Sequence, residues 1–136
     1  MFVRDIMSRK IASIGGEASI LDACKICRDR KVGSVFITLK DELVGIVTER
    51  DFIERAMCRV LDIRNTKVKE IMSTDLKSID PIDKIEKALD IMKSNNIKKL
   101  AVIQSNELVG IVTLSDIAHS RPSVKNFLKD KNVIIS

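Results

Sequence analysis

The chain has no tryptophan and no tyrosine; its only aromatics are Phe2, Phe36, Phe52 and Phe127. Binders of single-stranded nucleic acid stack bases on exposed aromatic faces, so this scarcity argues against that class. A single histidine, His119, excludes a His-Glu-x-x-His metal site. Neither a Gly-x-Ser-x-Gly elbow nor a Gly-x-x-x-x-Gly-Lys phosphate loop occurs. Three cysteines are too few for a disulfide scaffold. Cys24-x-x-Cys27 has redox or zinc spacing, but no second Cys or His pair accompanies it, and small apolar core filling is the better reading. No apolar run reaches the length of a membrane span; the longest lie near 32–39 and 108–114. The first residues carry no signal-peptide pattern. The expected location is the cytoplasm, with no membrane partner.

Charge of one sign is also missing as a block. The net charge is +5, which raises nucleic acid or an anionic ligand as a partner. Residues 1–65 hold 12 Lys+Arg against 10 Asp+Glu, and residues 66–136 hold 12 against 9. No run of five or six like charges forms a basic tail. A nucleic-acid-binding accessory protein is the alternative that this charge raises, and a ligand-free interaction scaffold is another.

What is present is a repeat. Glu42-Leu43-Val44-Gly45-Ile46-Val47-Thr48 returns letter for letter as Glu107-Leu108-Val109-Gly110-Ile111-Val112-Thr113, 65 residues later. Residues 3–51 align on 68–116 without a gap, with 17 identities in 49 positions. Unbroken register implies equal element lengths, and each half is too small to bury a sufficient core alone. The expected division is repeat one over 1–65, repeat two over 66–120 and a tail over 121–136. The tail's closing residues 132–136 could add a strand or contact a partner.

Each repeat opens on a short helical turn, at Val3–Met7 and Val68–Met72. Short strands follow at Ile11–Ile14 and Leu76–Ile79. Apolar residues at helical spacing then predict helices over Ser19–Lys31 and Ile82–Asn95, with Pro81 in the first turn of the second. Strand pairs at Ser34–Leu39 with Leu43–Thr48, and Leu100–Gln104 with Leu108–Thr113, flank polar turns and read as antiparallel hairpins. Helices over Glu49–Arg59 and Leu114–Ser120 close the units, and Pro122 ends the last one. The order is β-α-β-β-α, twice, in an α+β fold.

The chemistry concentrates where the second hairpin strand enters a helix. Unpaired N–H groups at a helix start favour an anion. A threonine hydroxyl there can donate to a phosphate oxygen. An aspartate one turn on, Asp51 or Asp116, can accept from both hydroxyls of a ribose diol. Gly45 and Gly110 allow a ligand or another backbone to approach closely. Thr-x-x-Asp is equally close to a capping box, in which hydroxyl and carboxylate satisfy helix-start amides. One residue can serve both ends only if its contacts divide. Asp51 and Asp116 could be imagined as a general acid and base, but each holds the same place in its own repeat. That fits two equal binding sites better than one reaction centre, and no enzymatic activity is expected.

The repeat order, the Gly-h-h-Thr-x-x-Asp ending (h apolar), the hairpin before it and the Asp5-Ile6-Met7 opening resemble the cystathionine-β-synthase (CBS) domain. Two in tandem resemble a Bateman module, and the resemblance covers residues 3–120. It implies repeats packed through their sheets with pseudo-two-fold symmetry and two clefts between them. It further implies regulatory binding of AMP, ADP, ATP or S-adenosylmethionine, with no other cofactor and no metal. By the resemblance, the first cleft uses Thr48 and Asp51 with Ser78, Ile79 and Asp80 near adenine and Lys98 and Lys99 toward phosphate. The family often has an Arg/His doublet before Leu-Pro-Val where this chain reads Lys98-Lys99-Leu100-Ala101-Val102. Lysine is a less directional phosphate ligand than arginine. Arg50 either reaches phosphate or is a solvated first-turn side chain. The second cleft uses Thr113, Ser115 and Asp116 with Ser13, Ile14 and Gly15. Its phosphate-side positions are Gly33 and Ser34, where no cation stands, so unequal clefts are expected. A homodimer paired through its helices and a separate effector protein are the partners that the resemblance implies.

Overall fold

The computed structural model describes residues 1–120. It is a mixed α+β fold in which the β-α-β-β-α order occurs twice. Strand β1 (Ser13–Gly15), helix α1 (Ile20–Arg30) and strands β2 (Ser34–Leu39) and β3 (Glu42–Thr48) lead into helix α2 (Glu49–Asp51). That helix continues as a π-helix over Phe52–Met57. The second copy runs β4 (Ser78–Ile79), α3 (Ile85–Asn95), β5 (Lys99–Gln104), β6 (Glu107–Thr113) and α4 (Leu114–Ser120). Short 3-10 turns stand at Val3–Asp5 and Val68–Glu70. Each copy builds one three-stranded sheet, with β1 parallel to β2 and β2 antiparallel to β3, and the same for β4, β5 and β6.

Local chemistry accounts for the element ends. The Ser19 hydroxyl accepts from the Asp22 amide at 3.0 Å and caps α1. Lys31 and Asn96 end α1 and α3 in the left-handed region, at φ 55° and 52°. The hairpin turns hold two residues rather than the expected three, Lys40-Asp41 and Ser105-Asn106, with positive φ at both central positions. That is the turn whose twist matches paired strands. Each hairpin also carries one register shift. Ile37 pairs with Gly45 and Thr38 with Leu43, so Val44 is the extra residue of a bulge, and Val109 is its counterpart.

Two further expectations are corrected. Helix α3 opens at Ile85, not Ile82, so Pro81 lies outside its first turn. Asp80 accepts from the Ile82 amide at 3.0 Å and Asp83 accepts from the Asp80 amide at 3.1 Å, which holds residues 80–83 as a separate turn. The helix expected over Glu49–Arg59 is α-helical for three residues only. Cys58 donates to Ile53 O and Leu61 to Ala56 O, the i to i−5 pattern of a π-helix. The expected strand or partner contact of residues 132–136 lies outside the described residues.

The chain forms two compact units offset from its sequence repeats. One is Lys10–Leu76; the other is Met1–Arg9 together with the described residues from Lys77 to Ser120. In the first, Ile20, Ala23, Val35, Ile37, Val47 and Ala56 bury against Val68 and Ile71. In the second, Val3 joins Ile79, Ile85, Ala88, Met92, Leu100, Val102, Val112 and Ile117. The opening turn of each sequence repeat thus covers the core built by the other repeat.

Candidate functional site

In both units the last hairpin strand runs into a helix through Thr-x-x-Asp. In the Lys10–Leu76 unit, Asp51 Oδ2 accepts from the Thr48 amide at 2.9 Å and from the Thr48 hydroxyl at 3.2 Å. The Asp51 amide donates back to Thr48 Oγ1 at 3.4 Å. In the other unit, Asp116 Oδ2 accepts from the Thr113 amide at 2.9 Å, and the Asp116 amide donates to Thr113 Oγ1 at 3.0 Å. Both motifs are therefore reciprocal capping boxes. The contacts divide as a ligand role would need: each cap uses Oδ2 alone. The Oδ1 atom of Asp51 lies 3.6 Å from Arg55 Nε, an ion pair too long for a hydrogen bond.

The glycines answer a question the sequence left open. A Cβ on Gly45 would stand 2.7 Å from Ser73 O and 2.9 Å from Met72 Sδ. One on Gly110 would stand 2.7 Å from Ser8 O and 3.0 Å from Met7 Sδ. The close approach at both is another backbone. Ile46 and Ser73 exchange paired backbone hydrogen bonds at 3.0 and 2.9 Å, as do Ile111 and Ser8 at 2.9 and 2.8 Å.

The other expected residues divide between the units. Around Thr48, Ser34 is the register partner across β2 and β3 and is buried. Ser13, Ile14 and Gly15 form β1 at the sheet edge beside β2. The Glu49 amide donates to Gly33 O at 3.1 Å. Around Thr113, Lys99 is the register partner across β5 and β6, and the Leu114 amide donates to Lys98 O at 2.8 Å. Ser78 and Ile79 form β4, and Asp80 is committed to the turn before α3. Ser115 O faces His119 Nδ1 at 2.7 Å, which makes that nitrogen the donor, and the Ser115 hydroxyl lies 3.2 Å away. The guanidinium of Arg50 is exposed and pairs with Glu54 at 2.7 Å.

The Cys24-x-x-Cys27 pair acts as apolar filler. Cys24 and Cys27 are half-buried and packed on the Lys10–Leu76 core, and burial pushes the Cys24 thiol up. Leu89 and Met92 pack the other core from the matching positions. Among the described residues, no group of three or more His, Cys, Asp or Glu could hold a metal ion. No described helix is long and apolar enough to cross a membrane.

A sequence model of the CBS domain matches twice, over residues 3–57 and 68–123. The chain belongs to the CBS domain family. Proteins with CBS-domain pairs are in general regulatory and ligand-binding. A CBS domain-containing protein of Bacillus subtilis, YhcV, is 32% identical over 121 residues, 89% of this chain and 86% of that protein. Hypoxic response protein 1 of Mycobacterium tuberculosis is 28% identical over 129 residues, covering 93% and 90%. Its solved form with two coordinated zinc ions matches at TM-score 0.75 over 90% of this chain and all of that one, with 28% identity. A hexameric CBS-CP12 protein from bloom-forming cyanobacteria matches at TM-score 0.83 and 26% identity, over 96% of this chain and 76% of that one.

One residue of this CBS pair escaped the sequence reading. Arg55 stands four residues after Asp51, and its Nη1 donates to Ile71 O at 3.2 Å and Met72 O at 3.3 Å. The signal was the Asp-x-x-x-Arg spacing, which repeat two replaces with Asp116-x-x-x-Ser120.

Proposed function

We propose that this CBS pair is a regulatory module that binds an adenosine nucleotide and signals to a separate partner protein. The observation that carries the reading is the twofold recurrence of one arrangement: Thr-x-x-Asp with the carboxylate capped through Oδ2 alone. In the proposal the Oδ1 atoms of Asp51 and Asp116 accept from ribose hydroxyls, and Thr48 and Thr113 stand nearest the phosphates. Lys98 and Lys99 are phosphate contacts, whereas Ser34, the counterpart of Lys99, brings no charge. Ser13, Ile14, Gly15, Ser78, Ile79, Asp80 and Ser115 complete the proposed ligand set. The exposed Ile53 and Met57, four residues apart, are the helix face proposed for homodimer pairing.

Thermal melting with AMP, ADP, ATP and S-adenosylmethionine tests the reading. A ligand at 100 times its dissociation constant adds about 2.7 kcal/mol. Asp51→Ala and Asp116→Ala should each remove part of the shift. In calorimetry, Lys98→Ala should weaken ATP more than adenosine, and Ser34→Ala should affect both alike. Absence of any shift at millimolar ligand would overturn the nucleotide reading.

A further inference from the structure

Arg55 joins three things in the Lys10–Leu76 unit. Its Nε faces Asp51 Oδ1 at 3.6 Å, and its Nη1 is shared between the carbonyls of Ile71 and Met72. Those carbonyls follow the 3-10 turn Val68–Glu70, five and four residues before the chain leaves this unit at Leu76. The same stretch is held from the sheet side. Ser73 pairs with Ile46, and Met72 fills the space that a side chain on Gly45 would take. Residues 71–73 are thus gripped by β3 just before Thr48 and by the guanidinium just after Asp51.

Among the described residues, the other copy lacks the device. Ser120 occupies the position of Arg55, and its hydroxyl donates to Ile117 O at 2.7 Å. Its helix is regular α, whereas Arg55 sits in the π-helix, a widened turn that recurs at functional sites.

We infer that Arg55 is a positioning residue that transmits the state of the Asp51 carboxylate to residues 71–73. The guanidinium lies too far from Oδ1 for a hydrogen bond, so a hydroxyl donor can take that oxygen. Once a hydroxyl occupies Oδ1, it displaces the guanidinium from that oxygen, and the arginine loses the contact that orients it. Its hold on the two carbonyls changes with it. Among the described residues, the Asp116 motif has no such route. That the natural trigger is a nucleotide rests on the function proposed above; the link from carboxylate to segment does not.

Hydrogen exchange of the Ser73 amide, bonded to Ile46 O, reads the link in the full chain. Arg55→Gln and Asp51→Asn should each speed that exchange about two- to fivefold, the range an exposed ion pair supports. Their double variant should add nothing further. Arg55→Lys should restore most of the protection, because it keeps the charge. Unchanged Ser73 exchange in Arg55→Gln, or additive effects in the double variant, overturns the inference. ATP at millimolar concentration should change Ser73 exchange in the native chain and not in Arg55→Gln. If the variants behave as expected and ATP has no effect on the native chain, the link stands and ATP is not its trigger.

Discussion

Glu17 shows how single residues here join segments distant in sequence. It accepts from Lys69 Nζ at 2.7 Å and also pairs with Lys67, tying the turn before α1 to residues 67–69. Those two lysines, Lys67 first, hold its carboxyl down at about 2, against an ordinary 4.5. A carboxylate depressed by folding adds stability that is full above its unfolded value and disappears as pH falls through the folded one. The contribution therefore declines between about pH 4.5 and about pH 2. The group is exposed, so salt screens it. Melting curves should show Glu17→Gln destabilising at pH 7 and low salt, with the difference fading toward pH 2 and in high salt. A difference that persists at pH 2 would place the effect elsewhere. At the same scale, the Thr-x-x-Asp residues were legible in sequence, whereas the division of work between their oxygens was not. An acceptor's partner depends on side-chain torsions, which residue spacing does not state.

Among the elements, the hairpins were the most legible and their turns less so. Apolar strands flanking a polar gap mark a hairpin, and both are antiparallel as expected. The turns require left-handed backbone at Lys40 and Asp41, where a side chain is disfavoured. Replacing Lys40-Asp41 with Asn-Gly should stabilise the Lys10–Leu76 unit by about 0.5 to 1 kcal/mol, read as a raised denaturation midpoint. A lowered midpoint would mean that the native side chains have contacts outweighing their backbone strain. Helix starts were harder. Apolar spacing runs back through Ile82, yet Asp80 and Asp83 win the local amides and delay α3 to Ile85. The π-helix was illegible for a related reason: one residue per turn is added without altering the apolar composition.

At the scale of the whole molecule, the compact units and the sequence repeats are different partitions of one chain. Residues 10–76 contain Val68 and Ile71, both fully buried in their core, and residues 1–65 lack them. Burying each such side chain stabilises by about 1.5 to 3 kcal/mol. A fragment spanning 10–76 should therefore melt at a higher temperature and more cooperatively than one spanning 1–65. Equal melting would show that the 68–72 segment contributes little to this core. The repeat itself, the β-α-β-β-α order and the two Thr-x-x-Asp motifs were determined by the sequence alone, because periodicity and identity at one offset record local backbone requirements. Which opening turn covers which core was decided only by the tertiary structure. Val3-x-x-Ile6-Met7 and Val68-x-x-Ile71-Met72 offer nearly the same apolar face, so composition cannot assign either to a sheet. Chain connectivity and packing make that choice: Met72 closes on Gly45, and Met7 closes on Gly110.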